Sequence, residues 1–240
     1  MFISGGDLEL RKTNLFLLTW KFNTSGHPYP ADNTNHSITI QNYYRTQSTT
    51  IQCDNSSTPY KVLGFYLTMN QNNNKLFEVH LKKCLQVSRA IAGSSLTRHE
   101  SMIAYYVVYQ PSVSYVLNLS TFNKKQCHQL TIKPTRLFLQ KCSFSSTMHR
   151  SIVYGPRSSG GLGFRHAFTE QGIGHLLKLI QSLRTNGQSK SLLLLTIHWL
   201  HVNAGVGYNL LQYPSRPCPH LEGTWLRSTR EFLEQIHGSL

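Results

Sequence analysis

The sequence predicts an α+β chain, with strands in its first part and helices in the remainder. Ile38 and Ile40 alternate with polar residues within Ser37–Gln41, the period of two that a half-buried strand requires. From about residue 75 the period lengthens, and Phe77, Leu81, Cys84, Leu85, Ser88 and Ala92 fall on one helical face. Glycine and proline punctuate both regions where elements should end.

The elements follow in order. Residues 1–22 read as a glycine turn and a strand: Leu8 and Leu10 alternate with Glu9 and Arg11, and Leu15–Phe22 is apolar and aromatic-rich. Residues 23–59 are polar, with prolines at 28, 30 and 59. Within them Ser37–Gln41 and Thr49–Cys53 form a plausible hairpin. Tyr60–Thr68 reads as a further strand with Gly64 in its middle.

The helix from residue 75 stops at Gly93. Thr97 and Glu100 make a capping box, each serving the other's backbone amide, which opens a helix through Met102–Tyr109. That helix is apolar nearly all round, which predicts burial, and Pro111 ends or kinks it. Ser120 or Thr121 is placed to cap a helix that runs towards Lys133 and is interrupted by Pro134.

Residues 143–167 read as loop, with Ser151–Tyr154 as a short strand. Three helices should follow. Ile173, Leu176, Leu177, Ile180 and Leu183 form one stripe; Leu192–Val202 is almost continuously apolar; Trp225, Thr229, Phe232, Leu233 and Ile236 form the last stripe. Arg227/Glu231 and Arg230/Glu234 pair at i, i+4 outside that last stripe.

With 40% hydrophobic and 11% aromatic residues among 240, the chain can build a packed core. The longest apolar runs, Leu15–Trp20 and Leu192–Leu200, fall short of the roughly 18 residues of a membrane span. Asp7 and Glu9 precede the first run without a basic leader, which argues against a signal peptide. Five cysteines with no C-x-x-C pair fit free thiols in a reducing compartment better than a disulfide framework. The expectation is an intracellular protein with no membrane partner.

Charge points to a polyanion. Lys and Arg number 24 against 10 acids, a net charge of +14. Lys75, Lys82 and Arg89 recur every seven residues and share a helix face away from Phe77, Leu81 and Leu85. At about 1.5 Å rise per residue they are spaced by roughly 10 Å, so the row can track a phosphate backbone. Lys83 flanks that row, and Lys124, Lys125, Lys133 and Arg136 extend the excess, followed by Lys141 and Arg150.

Other chemistries are poorly provided for. The only aspartates are Asp7, Asp32 and Asp54, and no two acids are adjacent, whereas a two-metal phosphoryl-transfer centre needs clustered carboxylates. Ser158–Gly163 is glycine-rich but lacks the Lys-Ser/Thr of a phosphate loop, so it reads as a tight turn with close backbone approach. Gly172 and Gly174 read as sites of close helix packing. His198 and His201, with Cys218 and His220, could be zinc ligands, but the spacing lacks a second paired motif. Ordinary core or surface histidines, and no metal, are expected.

The order of motifs resembles a known family. Ser4–Thr13 is similar to the palm motif that follows the catalytic hairpin of reverse transcriptases: a glycine, an apolar-x-apolar pair, then Lys-Thr. Tyr60–Thr68 resembles the Leu-Gly strand of non-LTR reverse transcriptases, near the hairpin that grips the primer end. The basic helical stretch from Lys75 to about Lys141 stands where the thumb should be. Arg150–Arg157, Gly160–Phe164, Thr169–Gly172 and Leu221–Trp225 look like the tail of such enzymes from algal, diatom-type elements.

The resemblance is thus to the C-terminal part of a non-LTR-like retrotransposon reverse transcriptase. It implies a remnant of palm β-strands with a polar insertion over residues 1–69, a mainly α-helical thumb over 70–145 and a helical C-terminal extension over 146–240. It implies an RNA-directed DNA polymerase whose catalytic aspartates, including a Tyr-x-Asp-Asp hairpin, would precede Met1. This chain would then be an inactive fragment that holds an RNA–DNA template–primer duplex. Magnesium would belong to the intact polymerase, with no cofactor in this chain. Lys12 falls on the family's palm lysine and is a candidate auxiliary near the incoming nucleotide's phosphates. Two other readings share the composition: a stand-alone basic nucleic-acid binder and a helical interaction protein.

Overall fold

The computed structural model describes residues 13–26, 28–41, 48–70, 72–218 and 225–240. It is a mixed α and β chain that divides into two compact units, Met1–Leu76 and Phe77–Leu240. Lys12 and the Ser4–Thr13 motif, apart from Thr13, lie outside the described residues.

The first unit holds three two-stranded antiparallel ladders. β1 (Leu18–Phe22) pairs with β2 (Pro28–Asp32), setting Trp20 opposite Pro30. β2 was not expected, because prolines read as strand breakers. A two-stranded ribbon has an unpaired outer edge, where a residue without an N–H costs no ladder bond. β3 (Ser37–Gln41) pairs with β4 (Ser48–Gln52) in the anticipated hairpin. Ile38 and Ile40 are 50% and 39% exposed, so the alternation marks a strand but not a half-buried one. A parallel bridge joins Leu15 to Cys53, and Asp54 N–H donates to Leu15 O at 2.7 Å.

Tyr60–Thr68 is a hairpin, where one continuous strand was expected. β5 (Tyr60–Val62) turns back into β6 (Phe65–Leu67) through Leu63 and Gly64. Their φ angles are +49° and +90°. Positive φ at both central residues is the type I′ turn that matches the twist of paired strands. Gly64 takes it without a Cβ penalty; Leu63 does not.

In the helical part, α1 (Asn74–Ala92) buries Leu76, His80, Cys84, Ser88 and Ile91. The expected stripe is rotated by about one residue, since Phe77, Leu81, Leu85 and Ala92 are only half-buried. α2 (Arg98–Ala104) opens with the capping box: Thr97 N–H donates to Glu100 Oε2 at 2.7 Å, and Glu100 N–H to Thr97 Oγ1 at 3.4 Å. Pro111 does not end the helix. A π turn over Tyr105–Tyr109, closed by Gln110 N–H on Tyr105 O, leads directly into α3 (Gln110–Leu117). Widening that turn gives the proline ring room and absorbs its missing N–H. The segment is not buried all round: Tyr105 and Tyr109 are, but Val107 and Val108 are 67% and 53% exposed.

α4 (Lys124–Lys141) is capped by Asn123 and Gln126, a reciprocal box, and not by Ser120 or Thr121. It runs through the buried Pro134 to Lys141. Ser151–Tyr154 is helical, within α5 (Arg150–Tyr154), and not a strand. A 3-10 turn (Arg157–Ser159) follows. The glycine loop then folds back: Gly161 N–H donates to Pro156 O and Gly163 N–H to Gly155 O. Those amides are spent on the turn itself, as the reading of a tight turn requires.

The three closing helices are α6 (Ala167–Arg184), α7 (Gln188–Ala204) and α8 (Trp225–Gln235). α6 is central, touching α3, α4, α7 and α8. Gly172 meets Phe232 on α8 and Gly174 meets Asn118, the close approaches expected of those glycines. One aromatic core gathers around Tyr105, with Phe164 at 4.3 Å, Phe138 at 5.0 Å and Tyr109 at 5.5 Å between ring centroids. A second, aliphatic core joins Leu179, Leu200, Leu210, Leu226 and Leu233. Among the described residues no helix is long and apolar enough to cross a membrane.

Candidate nucleic-acid interface

α1 forms because its apolar and small residues recur at helical spacing, and its other side is left to solvent. That side carries Lys75, Lys82, Lys83 and Arg89, all exposed, with Glu78 as the helix's one acid. Lys75 belongs to the first compact unit and the other three to the second. Residues 75, 79, 82, 86 and 89 lie within one narrow sector at 3.6 residues per turn, so the cations form a row along the helix.

α4 presents the second row. Lys124, Lys125, Lys133 and Arg136 are all exposed, and α4 contains no acid. Lys125, Gln129, Lys133, Arg136 and Gln140 share its solvent face. Lys124 diverges from them: its ammonium stands 5.5 Å from the centroid of the Phe168 ring. Lys124 and Lys125 occupy the helix N-terminus, whose positive dipole end adds to their field.

None of these eight cations is in an ion pair among the described residues; the ion pairs found are Arg165–Glu170 and Arg227–Glu231. Between residues 70 and 145 there are ten Lys and Arg against only Glu78 and Glu100. Glu100 is occupied by the capping box, where backbone and side-chain hydrogen bonds from Thr97 lower its pKa. An unpaired excess of this kind attracts polyanions.

Other cations are spent on the fold. Lys141 Nζ donates to Ser94 O at 2.5 Å, tying the end of α4 to the loop after α1. Arg150 is half-buried, and its Nη1 has no hydrogen-bond partner among the described residues. Arg230 was expected to pair with Glu234 on the surface. It is instead 7% exposed and donates to the carbonyls of Leu210, Tyr213 and Arg216. Arg227 does pair with Glu231 as expected, at 3.1 Å. Arg98 and Arg157, outside the predicted set, lie 4.1 Å and 4.0 Å over Phe144 and Tyr106. These anchored cations stand on α2, α5, α8, the 3-10 turn and the last residue of α4; in the two rows Lys124 alone has such a ring contact among the described residues.

The buried polar groups do structural work. Gln171 Oε1 accepts from Phe122 N–H at 3.1 Å and Ser120 Oγ at 3.2 Å, while Nε2 donates to Phe122 O at 2.9 Å and Ser228 Oγ at 3.2 Å. His175 Nε2–H donates to Ser120 O at 2.9 Å. Burial, with Lys178 adding, lowers the His175 pKa to about 4. Burial, with Lys83 adding, lowers His80 to about 4. Burial pushes the Cys84 and Cys127 thiols up to about 12, and a protonated thiol is a poor nucleophile.

The described residues line two concavities. One of about 10 Å³, lined by Tyr105, Gln110, Arg165 and Glu170, has room for about one water. A shallow cleft of about 230 Å³ lies between Arg216, Cys218, Arg227 and Glu234. Among the described residues no three His, Cys, Asp or Glu stand close enough to hold a metal. His201 Nε2 accepts from Leu210 N–H, His198 is exposed, and His220 lies outside the described residues. No family model matches the chain, and neither the curated proteins nor the solved structures yield a match.

Proposed function

We propose that this chain binds nucleic acid through its phosphate backbone, using the exposed cation rows of α1 and α4. The observation that carries the reading is the set of eight exposed lysines and arginines on two helices that bear one acid between them. Contacts of this kind position a protein on a duplex without reading its sequence. The motif order supports a lineage: a thumb-like and tail portion of a retroelement reverse transcriptase, gripping an RNA–DNA template–primer duplex and unable to polymerise by itself.

Binding of a labelled RNA–DNA duplex, followed by anisotropy across a salt series, tests the reading. The logarithm of affinity should fall linearly with the logarithm of salt. Replacing Lys82, Lys83 and Arg89 by glutamine should flatten that line, and so should replacing Lys125, Lys133 and Arg136. Unchanged affinity and slope in both triple variants would remove the proposal. Primer extension with Mg²⁺ should give no product; incorporation would overturn the claim of inactivity.

A second reading has an observation of its own. α7 exposes large apolar side chains, which a protein–protein surface accounts for and phosphate binding does not.

A further inference from the structure

α7 is apolar on two opposite sides. Leu193, Ile197, Leu200 and Ala204 face the aliphatic core. Leu192, Leu195, Trp199 and Val202 face away from it and are 55%, 66%, 57% and 72% exposed. A helix hydrophobic all round is ordinarily covered on every side.

The outer residues are spaced three, four and three apart, the a/d spacing of a helix–helix seam. That spacing reads the same in both directions. A twofold axis crossing the outer face at the height of residue 197 would set Leu192 against Val202 of a second copy, and Leu195 against its Trp199. Each larger side chain would then oppose a smaller one. A parallel pairing would instead force Trp199 onto itself. We infer that this face is an antiparallel, self-complementary interface with a second copy of the chain.

Charge supports the choice. Lys190 is α7's only Lys or Arg, the helix has no acid, and the seam itself carries no charge. The overall charge of +14 therefore does not oppose this contact locally. A membrane-surface helix would need a basic polar face, which α7 lacks. At about 150–250 Å² per large side chain, the exposed fractions amount to roughly 375–625 Å² per protomer. The pair would bury roughly 750–1,250 Å², in the range of weak, transient contacts, which implies a concentration-dependent dimer.

Sedimentation equilibrium of the full chain over roughly 1–100 µM, in high salt with nuclease to remove polyanion bridging, should give a monomer–dimer equilibrium. Leu195→Glu should weaken it at least tenfold while the helical circular dichroism stays unchanged. Should that variant unfold, cross-linking carries the test. Leu192→Cys mixed with Val202→Cys should form disulfide-linked dimers faster than either alone. A chain monomeric throughout, a dimer indifferent to Leu195→Glu, or preferential self-linking of Leu192→Cys would each overturn the proposal. So would capture of the monomer by lipid vesicles through this face.

Discussion

Gly172 on α6 lies flat against the ring of Phe232 on α8, so closely that a Cβ at position 172 would fall inside the ring's van der Waals envelope. Phe232 is 4% exposed and is itself held edge-on to Phe168 at 6.0 Å, so the ring has little room to retreat. Gly172→Ala should therefore destabilise the helical unit by about 1–3 kcal/mol through overpacking. Gly174→Ala meets chiefly the side-chain amide of Asn118, which can rotate away, and should cost less. Thermal melting of the two variants checks the order; equal costs would mean that Phe232 yields more readily than its burial implies.

Acid should weaken the helical unit in a defined window. His80 and His175 both have pKa values lowered from 6.5 to about 4, chiefly by burial. Because the folded values are depressed, the stability tied to the neutral rings is complete above pH 6.5. It is lost as pH falls from 6.5 towards 4, where the loss levels off. Each ring accounts for on the order of 3 kcal/mol across that window. Urea midpoints measured from pH 8 to pH 3.5 should trace this fall. A flat profile would show that the rings are solvated or paired before they protonate.

The turn at Leu63 is improvable. Leu63 holds φ at +49° with 85% of its surface exposed, so it carries the strain of that conformation without a buried side chain in return. Asparagine tolerates this region better. Leu63→Asn should stabilise the β5–β6 hairpin by about 0.5–1 kcal/mol. Slower hydrogen exchange at Val62 and Phe65 would register the gain, and faster exchange would mean that Leu63 contributes packing.

Two kinds of cation should separate experimentally. Lys133 and Arg136 are exposed on α4, whereas Lys141 is bonded to Ser94 O. If both surface cations meet phosphates, Lys133→Gln with Arg136→Gln should reduce the salt slope by about 2. Melting should barely change. Lys141→Gln should do the reverse, lowering stability by about 1 kcal/mol and leaving the slope alone. A slope that follows Lys141 would reassign it to the interface.

The arrangement of α and β regions, the β3–β4 hairpin, the capping box at Thr97 and the three closing helices were legible in the sequence. Each is set by short-range physics: alternation, helical spacing, or a side chain reaching the nearest backbone amide. The exposure of the eight cations on α1 and α4 follows from the same helical period. Tertiary structure decided the rest, because it depends on partners remote in sequence. Pro111 and Pro134 break helices in isolation, yet here a π turn and a buried packing site absorb them. Arg230 leaves Glu234 because three loop carbonyls converge on its guanidinium. Lys141 reaches Ser94 only because α4 ends beside the loop after α1. Composition alone therefore determined that the chain is rich in cations; only the packed helices decided which of them remain available to a partner.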